Sequence, residues 1–167
     1  MMKTSVYFLK RTAILLGSLF LFTIGVQAQD ANEKKRDAQA IQQLVESKEF
    51  VFRAQSVTPI RGGFRQLTSE YDLRLLGDSL VSYLPYFGRA YSAPLDPRQG
   101  GLQFTSTEFD YEVKPKKKGW DIRLKPKDVT SVQQMTLNVT TTGRATLQVI
   151  SNNREPISFN GVIAKRR

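Results

Sequence analysis

From Phe50 to the C-terminus, apolar residues recur at every second position in short runs divided by turn-formers, and no helical period interrupts them. Phe50, Phe52 and Ala54 alternate with Val51, Arg53 and Gln55, and Pro59 to Gly63 reads as a turn or short loop. Tyr71, Leu73 and Leu75 then oppose Glu70, Asp72 and Arg74, and Gly77-Asp78 predicts a tight turn into Ser79–Leu84. Leu102 and Phe104 keep an even-numbered face, whereas Phe109, Tyr111 and Val113 keep an odd one. A one-residue shift exchanges the faces of a strand, so this slip near Thr105–Thr107 predicts a bulge or a bend. Lys116-Lys117-Lys118-Gly119 reads as a hairpin tip leading to Trp120, Ile122 and Leu124. Met135, Leu137 and Val139 return through Ala145, Leu147 and Val149 to Ile157, Phe159 and Ile163, with Asn152-Asn153 expected as a positive-φ hairpin turn. About eight strands at hairpin spacing predict a mainly β fold: an antiparallel meander that forms a curved sheet or an open or closed barrel.

Ahead of the strands, Asp30–Glu49 reads as one N-terminal helix (30–49). Asp30 or Asn32 caps it, and Ala38, Ile41, Leu44 and Val45 form one narrow apolar stripe suited to packing on the sheet. Residues 1–28 have another pattern: basic Lys3, Lys10 and Arg11, an apolar run from Ala13 to Val26, and the small-residue site Val26-Gln27-Ala28. That order reads as a signal peptide, expected to be cleaved after Ala28, with an uncleaved anchor as the alternative. The expectation is therefore a single β-rich domain, 29–167, exported to the periplasm or beyond and not transmembrane after cleavage, because the run is short for a span.

The chain contains no histidine and no cysteine. Zinc sites, thiol catalysis and disulfides are thereby excluded, and acid–base chemistry near neutral pH would fall to carboxylates, lysine or tyrosine. Asp72, Asp78, Asp96, Glu108, Asp110, Glu112, Asp121 and Glu155 are the carboxylates available for a hydrolytic pair. Most of them fall on polar strand faces, and Glu108 to Glu112 face Arg123 and Lys125 on the next arm, which reads as a solvated face. Calcium loops, phosphate loops and dinucleotide fingerprints are absent, so no catalytic residue, metal or cofactor is expected. The formal charge of +10 either simply keeps the domain soluble or favours anionic surfaces, which in an exported chain would be lipids, glycans and other envelope anions, with no nucleic acid.

The densest cluster of rings is Tyr83-Leu-Pro-Tyr-Phe-Gly-Arg-Ala-Tyr-Ser-Ala-Pro94. Pro85 must end or bulge the strand, and Gly88 is expected to turn the chain with positive φ. Tyr83, Tyr86, Phe87 and Tyr91 either plug the end of the sheet or line a mouth, with Arg89, Arg61 and Arg98 placed to hold an anion. Three functions are consistent with this. The first is a non-enzymatic periplasmic binding module for an amphipathic or anionic ligand. The second is an envelope protein-interaction or chaperone-like component that recruits a partner by strand addition. The third is a carboxylate-dependent hydrolase.

In Tyr83–Tyr91 the chain resembles the exported Bacteroidetes proteins grouped as domain-of-unknown-function family 4251. The likeness extends to Phe50-Val-Phe52-Arg-Ala54, Tyr71-Asp-Leu73, Gly100-Gly101-Leu102-Gln-Phe104, Gly119-Trp120 and the Arg154–Gly161 region. The resemblance implies an exported, mainly β domain of about this length, and it brings no catalytic residues.

Overall fold

The computed structural model describes residues 35–91 and 101–166. The expected signal peptide, the expected caps Asp30 and Asn32, Asp96, Arg98 and the rest of residues 92–100 lie outside them. A helix, α1, occupies 35–47. The strands are β1 (Glu49–Pro59), β2 (Arg65–Leu76), β3 (Leu80–Leu84), β4 (Leu102–Ser106), β5 (Phe109–Lys116), β6 (Gly119–Pro126), β7 (Val132–Thr140), β8 (Arg144–Ser151) and β9 (Ile157–Ala164). All pair antiparallel in one sheet of order β4-β3-β2-β1-β9-β8-β7-β6-β5, which curls into a nearly closed barrel.

The order places the first and last strands side by side in the middle of the sheet, with the break between β4 and β5, which are consecutive in the chain. Strand direction alternates across every antiparallel pair, so β4 and β5 run in the same sense. They behave as one long strand that pairs with β3 through Leu102–Ser106, bends at Thr107-Glu108, and pairs with β6 from Phe109 on. This is the bend that the parity slip predicts. It also explains why about eight strands are expected and nine are found: one strand is counted twice.

The bend is held in place by local hydrogen bonds. Asp128, just after β6, accepts hydrogen bonds from the Ser106 hydroxyl and from the backbone N–H of Thr107 (2.8 Å) and Glu108 (3.3 Å). The Lys127 N–H adds a bond to the Glu108 carbonyl (2.7 Å). On the β5 side, the Tyr111 hydroxyl donates to the Val45 carbonyl at the end of α1 (2.7 Å), and Lys48 lies over the Tyr111 ring. Lys114, Pro115 and Lys116 finish the β5 edge with residues that discourage strand addition.

Inward residues fill the barrel. Phe50, Phe52, Leu73, Leu75, Ile122, Leu137, Leu147 and Phe159 are almost wholly inaccessible. Where β1, β9 and β8 meet, the facing partners are Ala54, Gly161 and Ala145. A Cβ at Gly161 would collide with the Arg53 carbonyl, so glycine there allows the close backbone approach that a tightly coiled sheet needs. Val45 is buried, and Ile41 and Leu44 pack beside it against the same core, as the apolar stripe of α1 predicts.

Four local expectations change. The helix stops at 47, two residues early, because Lys48 takes positive φ (55°) and Glu49 already pairs with Leu76. Pro59 belongs to β1 and does not open the turn. Asn152-Asn153 is not a positive-φ turn, since Lys48 is the one non-glycine residue with positive φ among those described. Gly88 is not at positive φ either; a Cβ there would meet the Tyr86 hydroxyl at 2.7 Å, so a larger residue would displace that ring.

Candidate functional site

Beyond Leu84 the chain leaves the sheet at buried Pro85, which offers no N–H to continue the ladder. The segment 85–91 then lies against the connection between β8 and β9. The Tyr91 N–H bonds the Asn153 carbonyl (2.8 Å), the Glu155 N–H bonds the Arg89 carbonyl (3.1 Å), and Ala90 forms a bridge with Arg154. Tyr86 ties the two together, its hydroxyl reaching the carbonyls of Arg89 (2.8 Å) and Glu155 (3.1 Å). The Arg154 guanidinium lies 5.0 Å from the Tyr86 ring centre and donates to the Gly101 carbonyl (3.1 Å). Burial first, and the Glu155 carboxylate second, raise the pKa of the Tyr86 hydroxyl, so it remains a neutral donor.

This clasp forms one wall of a pocket of about 340 Å³, lined by Pro59, Arg61, Arg65, Phe87, Gly88, Arg89 and Glu155. Arg65 stacks on Phe87, its guanidinium carbon 5.2 Å from the ring centre. Glu155 is buried, with a side chain only 10% exposed; one oxygen faces the Arg61 Nε at 3.5 Å, and the other has no hydrogen-bond partner. Three arginines therefore line one pocket with a single carboxylate and a single aromatic ring, Arg61 facing the carboxylate and Arg65 the ring. Planar, permanently charged donors of this kind suit a phosphate, sulfate or carboxylate, and the ring suits an apolar tail beside it.

The structure brings Arg61, Phe87 and Arg89 together and sets Tyr86 directly behind them. It does not bring in the two remaining tyrosines. Tyr83 lies on the outer face of β3, stacked on Tyr71 at 5.8 Å, and takes no part in the pocket lining. Tyr91 is 71% exposed. Arg65 and Pro59 were not foreseeable as partners, because both sit beyond the cleanly alternating part of their strands. Glu155 entered only as one carboxylate among several, and register alone sets it beside Arg61.

The remaining carboxylates do not converge on a second centre among the described residues. Asp72 pairs with Arg74 (2.8 Å), Glu112 with Lys114 and Arg123, Asp110 with Lys127, and Asp121 with Lys116. Glu112 facing Arg123 across β5 and β6 (2.9 Å) is the solvated strand face that the sequence suggests. Among the described residues, no group of three acidic residues stands close enough to hold a metal ion, and no helix is long and apolar enough to cross a membrane. A larger, open groove of about 1110 Å³ runs over the outer face near the β5–β6 tip, lined by Lys116–Lys118, Asn138, Arg144, Thr146 and Asn160 among others. Nothing in the sequence singles it out.

Residues 32–163 match the family model described as "Domain of unknown function (DUF4251)". The fold is similar to the crystal structure of a DUF4251 family protein from Bacteroides eggerthii DSM 20697, with TM-score 0.57 and 15% sequence identity over 77% of this chain and 87% of that one. No curated protein matches the sequence.

Proposed function

The chain belongs to the DUF4251 family, a domain of unknown function, and from that starting point we propose that it is a non-enzymatic binding module for an anionic, amphipathic ligand. The observation that carries this reading is that Arg61, Arg65 and Arg89 line one pocket together with Phe87. A core plug has no use for three guanidinium groups. In this reading Arg61 and Arg89 hold the anionic head, Arg65 and Phe87 clamp the first part of the tail, and Glu155 keeps Arg61 in place while the pocket is empty.

The ligand is taken up at the end of the barrel and not inside it, because the interior is filled by side chains. The N-terminal basic-apolar run and the excess of positive charge support a setting at the cell envelope after cleavage behind Ala28, where lipids and acidic glycans supply such anions.

Calorimetric titration with hexyl phosphate tests the reading. Saturable binding that falls at least tenfold in an Arg61→Ala, Arg89→Ala double variant is expected. Absence of binding, or equal binding by the double variant, contradicts it.

A further inference from the structure

The loop between β1 and β2 reads Ile60-Arg61-Gly62-Gly63-Phe64 and leads straight into Arg65 at the start of β2, so that a large apolar residue precedes each of two pocket arginines. Ile60 and Phe64 are each 64% exposed. Gly62, at φ 115°, holds the tip in a conformation that side-chain-bearing residues rarely take, so the turn that displays them is built in. Across the pocket, Tyr91 follows the Arg89 segment and is also exposed. Single apolar residues on a surface are ordinary. Among the described residues they account for all the large hydrophobic residues that are prominently exposed except Tyr83, and the segments that carry them also carry Arg61, Arg65 and Arg89.

We infer that this end of the barrel docks on an anionic phospholipid bilayer, with Ile60 and Phe64 entering the interface while the pocket arginines engage a lipid phosphate. The inference rests on the binding reading above and identifies the source of its ligand. Charge complementarity favours the bilayer: three guanidinium groups at the pocket meet a surface dense in phosphate, and each basic residue near such a surface adds roughly fivefold to affinity. The apolar residues discriminate further. A free phosphate would satisfy the arginines and leave Ile60 and Phe64 in water. A protein interface would call for a contiguous apolar centre, and these residues are instead spaced around a basic pocket. A bilayer offers phosphates and an apolar layer a few ångströms apart, in the same order as the loop: arginines that snorkel and rings that settle at the head-group level.

The test is co-sedimentation of the full chain with vesicles of phosphatidylcholine alone or with one third phosphatidylglycerol, run beside titration with soluble glycerol 3-phosphate. The variants are an Ile60→Ser, Phe64→Ser pair and an Arg61→Ala, Arg89→Ala pair. All carry the same N-terminal run, so differences among them belong to the pocket end. Both positions of the serine pair are exposed, so the fold is retained, which a melting curve verifies. The expected result is preference for the anionic vesicles, at least tenfold weaker vesicle binding by the serine pair, and unchanged binding of glycerol 3-phosphate by that pair. Vesicle binding that is absent, or equal in the serine pair and the parent, overturns docking; if glycerol 3-phosphate still binds through the arginines, the pocket reading survives alone. Loss of neither ligand in the arginine pair overturns both.

Discussion

The inside of the barrel and the pocket at its end are made from the same strands, and two residues separate one regime from the other. On β1, Phe50, Phe52 and Val57 point into a dry interior, and two positions after Pro59 the chain presents Arg61. On β9, Phe159 and Ile157 are buried among aliphatic side chains, and two positions earlier stands Glu155, buried against Arg61 instead. The difference teaches where binding energy is available. The interior has spent its surface on packing, and its affinity for anything further is limited by the absence of space. The pocket keeps its arginines incompletely paired: the ion pair of Arg61 with Glu155 is as long as 3.5 Å, so a ligand anion has interactions left to make, against the opposing charge of that one carboxylate.

The comparison can be broken or sharpened by substitution. Phe159→Ala, in the middle of the core, is expected to cost about 3–5 kcal/mol in a denaturant titration while the folded fraction binds hexyl phosphate as before. Phe87→Ala removes a half-buried ring that also supports Arg65. It is expected to cost about 2 kcal/mol of stability and, unlike the core change, to weaken hexyl phosphate in calorimetry. Equal behaviour of the two phenylalanines would erase the distinction between core and site. Arg89→Ala is expected to leave stability within about 0.5 kcal/mol and lower anion affinity about tenfold, since its side chain is exposed at the pocket and only its carbonyl takes part in the clasp. Glu155→Gln removes the negative charge beside the arginines and keeps the backbone bonds of the clasp. Anion binding is expected to tighten severalfold, and a weakened titration would place the anion elsewhere.

The smallest effect concerns the bend at β4 and β5. Asp128 is held below its ordinary pKa of 3.8, chiefly by the Ser106 hydroxyl and then by the Thr107 N–H. A depressed carboxylate stabilises the fold above its unfolded pKa, and the contribution disappears as pH falls through the folded value. Asp128→Asn is therefore expected to lower the melting temperature at neutral pH and to match the parent in strong acid. A difference that persists there would assign the loss to something other than the carboxylate.

Much of the fold was legible because period-two alternation survives wherever one face is buried. Leu73 and Leu75, Ile122 and Leu124, and Leu147 and Val149 are all on the inner face that the pattern indicates. The doubled strand was legible only as a change of parity, since no local pattern says that a strand changes partners halfway. The site was legible in part. Phe87, Arg89 and Arg61 stood out by composition, but a cluster of rings cannot reveal that Tyr83 stacks outward on Tyr71 while Tyr86 turns in to bond the Glu155 carbonyl. That outcome depends on how the β3 exit meets the β8–β9 connection, a contact between residues 69 positions apart. Arg65 escaped for the same reason: its ring partner lies on another segment.

Amide chemical-shift mapping of the isotope-labelled protein during titration with hexyl phosphate tests the central claim most directly. Saturable shifts gathered at Arg61, Arg65, Phe87, Gly88, Arg89 and Glu155, with the interior strands silent, are the expected result. Shifts centred instead on Lys116–Lys118 and Arg144, or none at concentrations that saturate a phosphate site, would contradict it.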